Sequence, residues 1–584
     1  MIELSPKIKT GQSGDSFDAV DVAIVMESTY PYLRGGVSAV VHDILLGNPD
    51  RTFGIIFIGW DRNISHKSEY DVPTNVKWIY HVYLSMTEHT EQMHQPAKEA
   101  LRLNAAERRS LAVQVFDALE AVCAGDMAPL WKLYDETMNP RTRGRVLWPL
   151  LGTKEFMVEA ALRLKSAQLP FTRMFWLLRE FFSLACAMAE NVFPPAAVYH
   201  AHTTGSAGMI AAVAARQNDG RVLLTEHNLY TRDTLNTMLE RSLAGRVTAN
   251  DWQTDTEVTP EQRGWMAWYI EMGRIIYDAA DQITFLYPEA IPEAQALGAP
   301  PSKARIVPNG MHVRSFDKPY QRLIERRTAQ SKSPSFAMKP NWRLAFCARL
   351  VPIKGLSDLL TSVAALVERG TVNFTLDVLG HADEHPDYAQ ACYDKARDLQ
   401  LDGYVNFLGS QNMKEVLGEY DLLVLPSHNE GQPMVVLEFM AVGVPVVGTR
   451  VGGMQQLVAD SLDHVSGPVG PAGMLVPPHD STAMADALEA LLSDSKRYQE
   501  FAGNARNRVT RFFQLEDAMA MYGDIYQGLG HSLKHIAIPQ LLRTYRGIHR
   551  SVSVYQASGR EETAMPASRG RGHRIPRFLA PASK

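Results

Sequence analysis

The stretch 421-DLLVLPSHNEGQPMVVLEFMAVGVPVVGT-449 decides the fold. It opens on an apolar run short enough for a buried strand, 421-DLLVLP-426, and closes on another, 444-VPVVGT-449. Between them Pro433 suits a first helical turn, and Gly443 followed by Pro445 suits a helix end, so a helix is predicted from about Gln432 to Val442. Strand, helix, strand is the unit of a parallel α/β sheet. Two acids stand in this unit. Glu430 occupies the polar loop, and Glu438 interrupts the apolar run from Met434 to Val442, where an unpaired charge is costly. The start of that helix carries free N–H groups and the positive end of its dipole, which suit an anion such as a diphosphate. Both carboxylates reach a ligand bound there and can accept hydrogen bonds from sugar hydroxyls. Alternatively, Glu430 favours the helix dipole and Glu438 pairs with a buried base.

The same rhythm extends on both sides. Upstream, 343-RLAFCARL-350, 374-FTLDVLG-380 and 404-YVNFLG-409 read as strands, and 482-TAMADALEALLSD-494 follows as a helix. Arg349 and Lys354 come just after the first of these strands, where two fixed cations would neutralise a phosphate pair. Before the polar stretch 317–341 lies another α/β series, with strands at 21-DVAIVME-27, 53-FGIIFIG-59, 76-VKWIYHVYL-84, 222-VLLTEHN-228, 282-QITFLY-287 and 305-RIVPNG-310. Gly35 and Gly36 follow the first strand and would let backbone approach a ligand closely. His202, in 200-HAHTTG-205, and His227, in 225-TEHN-228, stand at strand ends. From about Met86 to Asn191 the pattern is amphipathic helix instead, read as an insertion in the first domain.

The expected organisation is therefore two doubly wound Rossmann-like domains facing a cleft. A flexible lead spans 1–19, the first domain 20–320 with its helical insertion at about 86–191, and the second domain 321–505. Helices at 506–528 pack back on the first domain, and 529–584 form an extension with a basic, disordered tail. In 568-SRGRGHRIPRFLAPASK-584 there are five Lys or Arg and no acid, a solvated tail or an attraction to an anionic membrane surface or acidic partner.

Over 584 residues, 46% hydrophobic and 21% charged residues describe an ordinary globular chain, and a net charge of −5 argues against nucleic-acid binding. Four cysteines without paired spacing indicate neither disulfides nor zinc, so a reducing compartment is expected. The cluster 381-HADEHPD-387 lacks helical ligand spacing, and no metal is expected. With no signal pattern at the amino terminus and no long apolar run, the chain is expected in the cytoplasm, or peripheral at the inner face of a membrane.

With these residues placed, 306-IVPNG-310, 349-RLVPIKG-355, 425-LPSHNEGQPMVVLEFMAVGVPVV-447 and 450-RVGG-453 resemble the retaining, nucleotide-sugar-dependent glycosyltransferases of family four, which have the GT-B fold. The stretches 25-VMESTYPYLRGGVSAVVHDIL-45 and 223-LLTEHNLYTRD-233, with the helical insertion, resemble the PelF-like transferases of Pel exopolysaccharide synthesis. Departures stand at Asn228, at Met311-His312 and at Gly355. The resemblance implies that Arg349 and Lys354 hold a donor diphosphate, completed by backbone N–H groups of Gly431, Gln432, Pro433 and Met434 as far as each has one. It implies Glu430 at the transferred sugar, Glu438 at the ribose, Gly35 and Gly36 against the donor, and His202 and His227 at sugar or acceptor. No cofactor is implied beyond the donor substrate, a UDP-sugar. The implied partners are a glycan acceptor and a membrane-embedded polysaccharide-synthesis complex. Two other readings remain: another GT-B enzyme such as an epimerase or phosphorylase, and a catalytically degenerate assembly subunit.

Overall fold

Runs such as Phe53–Gly59, buried at every position, can only be strands covered on both faces, and that requirement organises the whole chain. A computed structural model describes residues 8–12, 15–63, 66–85, 88, 103–165, 169–240, 245–254, 257–331 and 341–530. Among these residues the strands form two sheets. The first contains β1 (Lys9–Gly11), β2 (Val20–Glu27), β3 (Phe53–Gly59), β4 (Val76–Tyr83), β5 (Ala196–Ala201), β6 (Arg221–Glu226), β7 (Gln282–Phe285) and β8 (Ala304–Ile306). Its spatial order is β1-β4-β3-β2-β5-β6-β7-β8. The second contains β9 (Asn341–Cys347), β10 (Asn373–Leu379), β11 (Val405–Gly409), β12 (Leu422–Leu425), β13 (Val446–Thr449) and β14 (Gly473–Val476), in the order β11-β10-β9-β12-β13-β14. Every pairing in both sheets is parallel.

The insertion supplies helices Ala105–Cys123, Ala128–Thr137, Lys154–Arg163 and Phe171–Ala189 between β4 and β5. Asn104 begins the first of them with a capping box to Glu107. Phe116, Phe156 and Phe181 join the core beneath the sheet, so the insertion thickens the first domain.

Several expectations need correction. Part of the lead, expected to be flexible, forms β1, which pairs with Trp78–Tyr80 of β4 and is anchored by buried Ile8. The polar stretch after Asp317 is not a separator but helix Asp317–Ser331, because Leu323 is fully buried and Arg326 reaches Asp421 at 2.6 Å. That helix thus packs on the second domain. Strand β14 was missed, since 473-GMLV-476 is too short to signal periodicity. The helix of the deciding stretch runs Met434–Ala441, and Pro433 caps it in extended conformation rather than entering its first turn. The expected basic tail lies outside the described residues, apart from the end of the last helix.

The chain crosses between domains twice. At the first crossing Met311 donates to Phe513 O at 2.7 Å and accepts from Leu515 N at 3.2 Å, so the two crossings lie side by side. Helix Ser495–Phe512 stays on the second domain, with Arg508 fully buried and donating to the carbonyls of Leu457, Asp460 and Gly470. Helix Leu515–Gly530 covers the first sheet with Met519, Tyr522, Ile525 and Tyr526. A Cβ at Gly310 would lie 2.5 Å from Leu515 Cα and 2.6 Å from Gln514 O. Those atoms are backbone and cannot swing away. Gly310→Ala should therefore cost about 1–3 kcal/mol, read as a lower thermal midpoint together with faster proteolysis of the Leu515–Gly530 helix.

Candidate functional site

In the second sheet the strand order reverses between β9 and β12, and in the first between β2 and β5. Loops leaving these strands diverge and leave a crevice at the carboxyl edge. After β9 come Arg349 and Lys354; after β12 comes Glu430. Lys354 Nζ lies 2.6 Å from Glu430 Oε1, with side chains only 19% and 9% exposed. Arg349 instead turns to Glu384, 2.6 Å away, and both are about half exposed. The Arg349 hydrogen bond holds the Glu384 carboxyl below the usual carboxylate range. An exposed pair of this kind contributes about 0–1 kcal/mol and rearranges readily, whereas the Lys354–Glu430 pair is held in place. Gly355 has φ +71°, and a Cβ there would meet Pro426 O at 2.1 Å. Glycine thus lets the two loops touch.

Helix Met434–Ala441 starts beside Glu430 without a side-chain cap. Gln432 is tied down from the other domain, its Oε1 accepting from Asn309 N at 2.5 Å. Its buried Nε2 has no partner among the described residues. Glu438 answers to no buried base: its carboxylate has no hydrogen bond or ion pair among the described residues. Burial pushes its pKa up to about 7, with the Lys414 charge opposing. Burial and the nearby Glu438 charge push the Cys347 thiol up to about 12.

Across the crevice, His202 and His227 stand just past β5 and β6. His202 Nδ1 lies 2.9 Å from His227 Nε2. Behind them His200, within β5, bonds Tyr526 OH at 2.8 Å and Thr225 Oγ1 at 2.7 Å. Burial lowers all three imidazoles, His227 to about 4, so the chain is neutral at physiological pH. His202 Nε2 is buried without a partner among the described residues. The domains meet here, because a Cβ at Gly431 would lie 2.1 Å from His227 O.

Beside that contact runs a polar bridge that sequence reading missed. Asn429 Nδ2 donates to Asp233 Oδ1 at 3.0 Å, and Arg232 Nη2 donates to Asn429 Oδ1 at 3.1 Å. Asn228 joins them, donating to Asp233 at 2.6 Å and accepting from Arg232 at 2.9 Å. The stretch 223-LLTEHNLYTRD-233 contained three of these residues, but only burial marks out Arg232 and Asp233. The structure thus brings Lys354, Glu430, Gly431 and Gln432 together with His202 and His227. Gly35 and Gly36 stand apart at the start of helix Gly36–Gly47, and nothing lies within 4 Å of a Cβ at Gly36.

Residues 341–494 match the family described as "Glycosyl transferases group 1". Residues 20–302 match "Domain of unknown function (DUF3492)". The chain is 32% identical over 255 residues to the D-inositol 3-phosphate glycosyltransferase of Saccharomonospora viridis, covering 42% of this chain and 53% of that one. It is 27% identical over 250 residues to the N-acetyl-alpha-D-glucosaminyl L-malate synthase of Bacillus anthracis, covering 43% and 60%. The chain thus spans about half the length of the relatives it matches. A sucrose-phosphate synthase from Thermosynechococcus elongatus superposes with a TM-score of 0.52 over 87% of this chain and 98% of that one, at 15% identity. The fold is GT-B. No helix among the described residues is long and apolar enough to cross a membrane.

The raised pKa of Glu438 gives a prediction. Between 4.5 and about 7 the folded state holds a proton that the unfolded state has lost, so stability falls as pH rises through that window. Removing the acid should relieve this penalty above it. The shift bounds the effect at about 3 kcal/mol, and partial exposure brings it to on the order of 1–2 kcal/mol. Glu438→Gln should therefore stabilise the ligand-free protein at pH 8 and leave it unchanged at pH 4.5, as measured by denaturant titration at both values.

Proposed function

We propose that the chain is a retaining, metal-independent glycosyltransferase that takes a sugar from a nucleotide diphosphate donor, a UDP-sugar, to a glycan acceptor in exopolysaccharide synthesis. The single observation that carries this reading is the pre-oriented Lys354–Glu430 pair, 2.6 Å apart at the strand-order reversal and beside the uncapped start of helix Met434–Ala441. Breaking the sugar–phosphate bond builds negative charge on the departing diphosphate and positive charge on the sugar ring. Lys354, Arg349 and the helix start supply donors for the former, the larger electrostatic contribution. Arg349 is free to come over from Glu384, because its surface pair is weak.

Glu430, loosed from Lys354 by the phosphate, faces the sugar. Glu438, an acid without a partner among the described residues, faces the ribose hydroxyls, which supply the hydrogen bonds that burial withholds. The neutral pair His202–His227 offers hydrogen bonds to sugar or acceptor and does not bring a second cation to the ring. The departing phosphate takes the acceptor proton on the same face, so no side-chain base is required. The polar, hydrogen-bonded contact through Asn429 allows the domains to open for substrate and close against water. Supporting the finer reading are the resemblance to PelF-like transferases and the transferase names of the relatives. Association with a membrane-embedded synthesis complex belongs to the same proposal.

The test separates the two acids. Interactions made only in the transition state alter turnover, whereas uniform binding alters affinity. Glu430→Gln should depress turnover while leaving calorimetric affinity for UDP nearly intact. Glu438→Gln should weaken UDP affinity by roughly a few-fold to tens of fold with a smaller effect on turnover. The reverse pattern would exchange the two roles, and failure to bind any nucleoside diphosphate would sink the transferase reading. Lys354→Ala should lower turnover at least about tenfold in a chain that remains folded, measured as steady-state donor consumption.

A further inference from the structure

We propose that Asp358, His428 and His479 form a binding site for a divalent transition-metal ion of the zinc class, clasping a helix start and two loops of the second domain. The three come from separate segments: Asp358 from the first turn of helix Leu356–Arg369, His428 from the loop after β12, and His479 from the loop after β14. One ligand atom from each lies within 4.8 Å of the others. His428 Nε2 is 2.8 Å and His479 Nδ1 is 3.4 Å from the same oxygen, Asp358 Oδ2. Metal–ligand bonds of about 2.0–2.2 Å at tetrahedral angles set ligand atoms about 3.3 Å apart. The two aspartate–histidine spacings therefore need adjustments of about half an ångström or less, and the two imidazole nitrogens, within 4.8 Å of each other, need to close by at most about 1.5 Å.

An aspartate–histidine hydrogen bond accounts for one imidazole. It does not account for a second whose ring centroid lies 3.8 Å from the first and whose nitrogen approaches the same carboxylate oxygen. Nor does it account for the backbone at His479, which has φ +61°, a left-handed conformation that costs a non-glycine residue free energy and clusters at functional positions. The carriers are held by bonds that use none of the ligand atoms. His428 N donates to Ile353 O at 2.8 Å, Asp358 N to Gly355 O at 3.0 Å, and Ser481 Oγ to Asp358 O at 3.0 Å. Such preorganisation lowers the cost of binding. Side-chain exposures of 20% at His428, 34% at Asp358 and 52% at His479 leave an entry path and room for solvent as a fourth ligand. Two imidazoles and one carboxylate suit zinc, cobalt or nickel; magnesium and calcium prefer all-oxygen shells.

His428 precedes Glu430 by two residues and Asp358 follows Lys354 by four. An ion here would fix the spacing of the two loops that carry the Lys354–Glu430 pair, without entering the transfer step. The inference does not depend on the transferase reading, because its readout is metal binding by the chain itself. The full chain, stripped with a chelator and desalted, is titrated with Co²⁺ alone and then with Zn²⁺. One equivalent of Co²⁺ should give visible absorption typical of a low-coordinate nitrogen–oxygen site, and Zn²⁺ should displace it. Zn²⁺ should also raise the thermal midpoint, and Mg²⁺ should not. Asp358→Asn, His428→Gln and His479→Gly should each weaken Co²⁺ binding at least about tenfold. Glycine suits the left-handed backbone at 479, so His479→Gly keeps the fold and decides the matter if the other variants do not. Absence of one-equivalent binding, or undiminished binding in His479→Gly, overturns the proposal.

Discussion

Parallel pairing throughout both sheets sends every strand's carboxyl end to one edge of its domain, and the site depends on that constraint. Because parallel neighbours need crossover helices on both faces, strand order must reverse somewhere in each sheet, at β2/β5 and at β9/β12. There the loops part, and there Lys354, Glu430 and His202 are found, while Gly35 and Gly36 stand apart at the start of helix Gly36–Gly47. No residue had to be carried far to build the crevice; the topology delivers it.

Charge within the crevice is managed unevenly. Lys354 and Glu430 neutralise each other largely out of water, Arg349 and Glu384 do so at the surface, and Glu438 is left with burial and no partner among the described residues. The histidine chain opposite is neutral because burial outweighs any stabilisation of its charged form. These differences in desolvation give chemically similar side chains distinct electrostatic surroundings. The contact between domains includes amide, guanidinium and carboxylate groups around Asn429, the Asn309–Gln432 hydrogen bond and the tight approach of Gly431 to His227. Such contacts rearrange more readily than an apolar interface.

Helix Leu515–Gly530 returns across the domain boundary and completes the first core. Tyr522, Ile525 and Tyr526 fill the face of the first sheet, and Tyr526 holds His200 behind the His202–His227 pair. Packing of helix Leu515–Gly530 thus supports the site from behind, joined to it by the paired crossings at Met311 and Gln514.

How much of this was legible in the sequence follows from the range of each interaction. Strands such as Phe53–Gly59, the alternation with helices and the helical insertion are local patterns of hydrophobicity, and the amino-acid order alone determined them. The same holds for the placement of Arg349 and Lys354 after one strand and of Glu430 and Glu438 after another. Short elements escaped, because the three residues of β1 and the four of β14 gain their order from neighbouring strands and not from their own periodicity. Helix Asp317–Ser331 escaped because its polar composition hides one buried stripe at Leu323. Which acid pairs with which base, the bridge of Arg232, Asp233 and Asn429, and the convergence of Asp358, His428 and His479 were decided only in three dimensions. Those partners lie tens to hundreds of residues apart, and solvent exclusion by the assembled fold sets the strength of every contact they make.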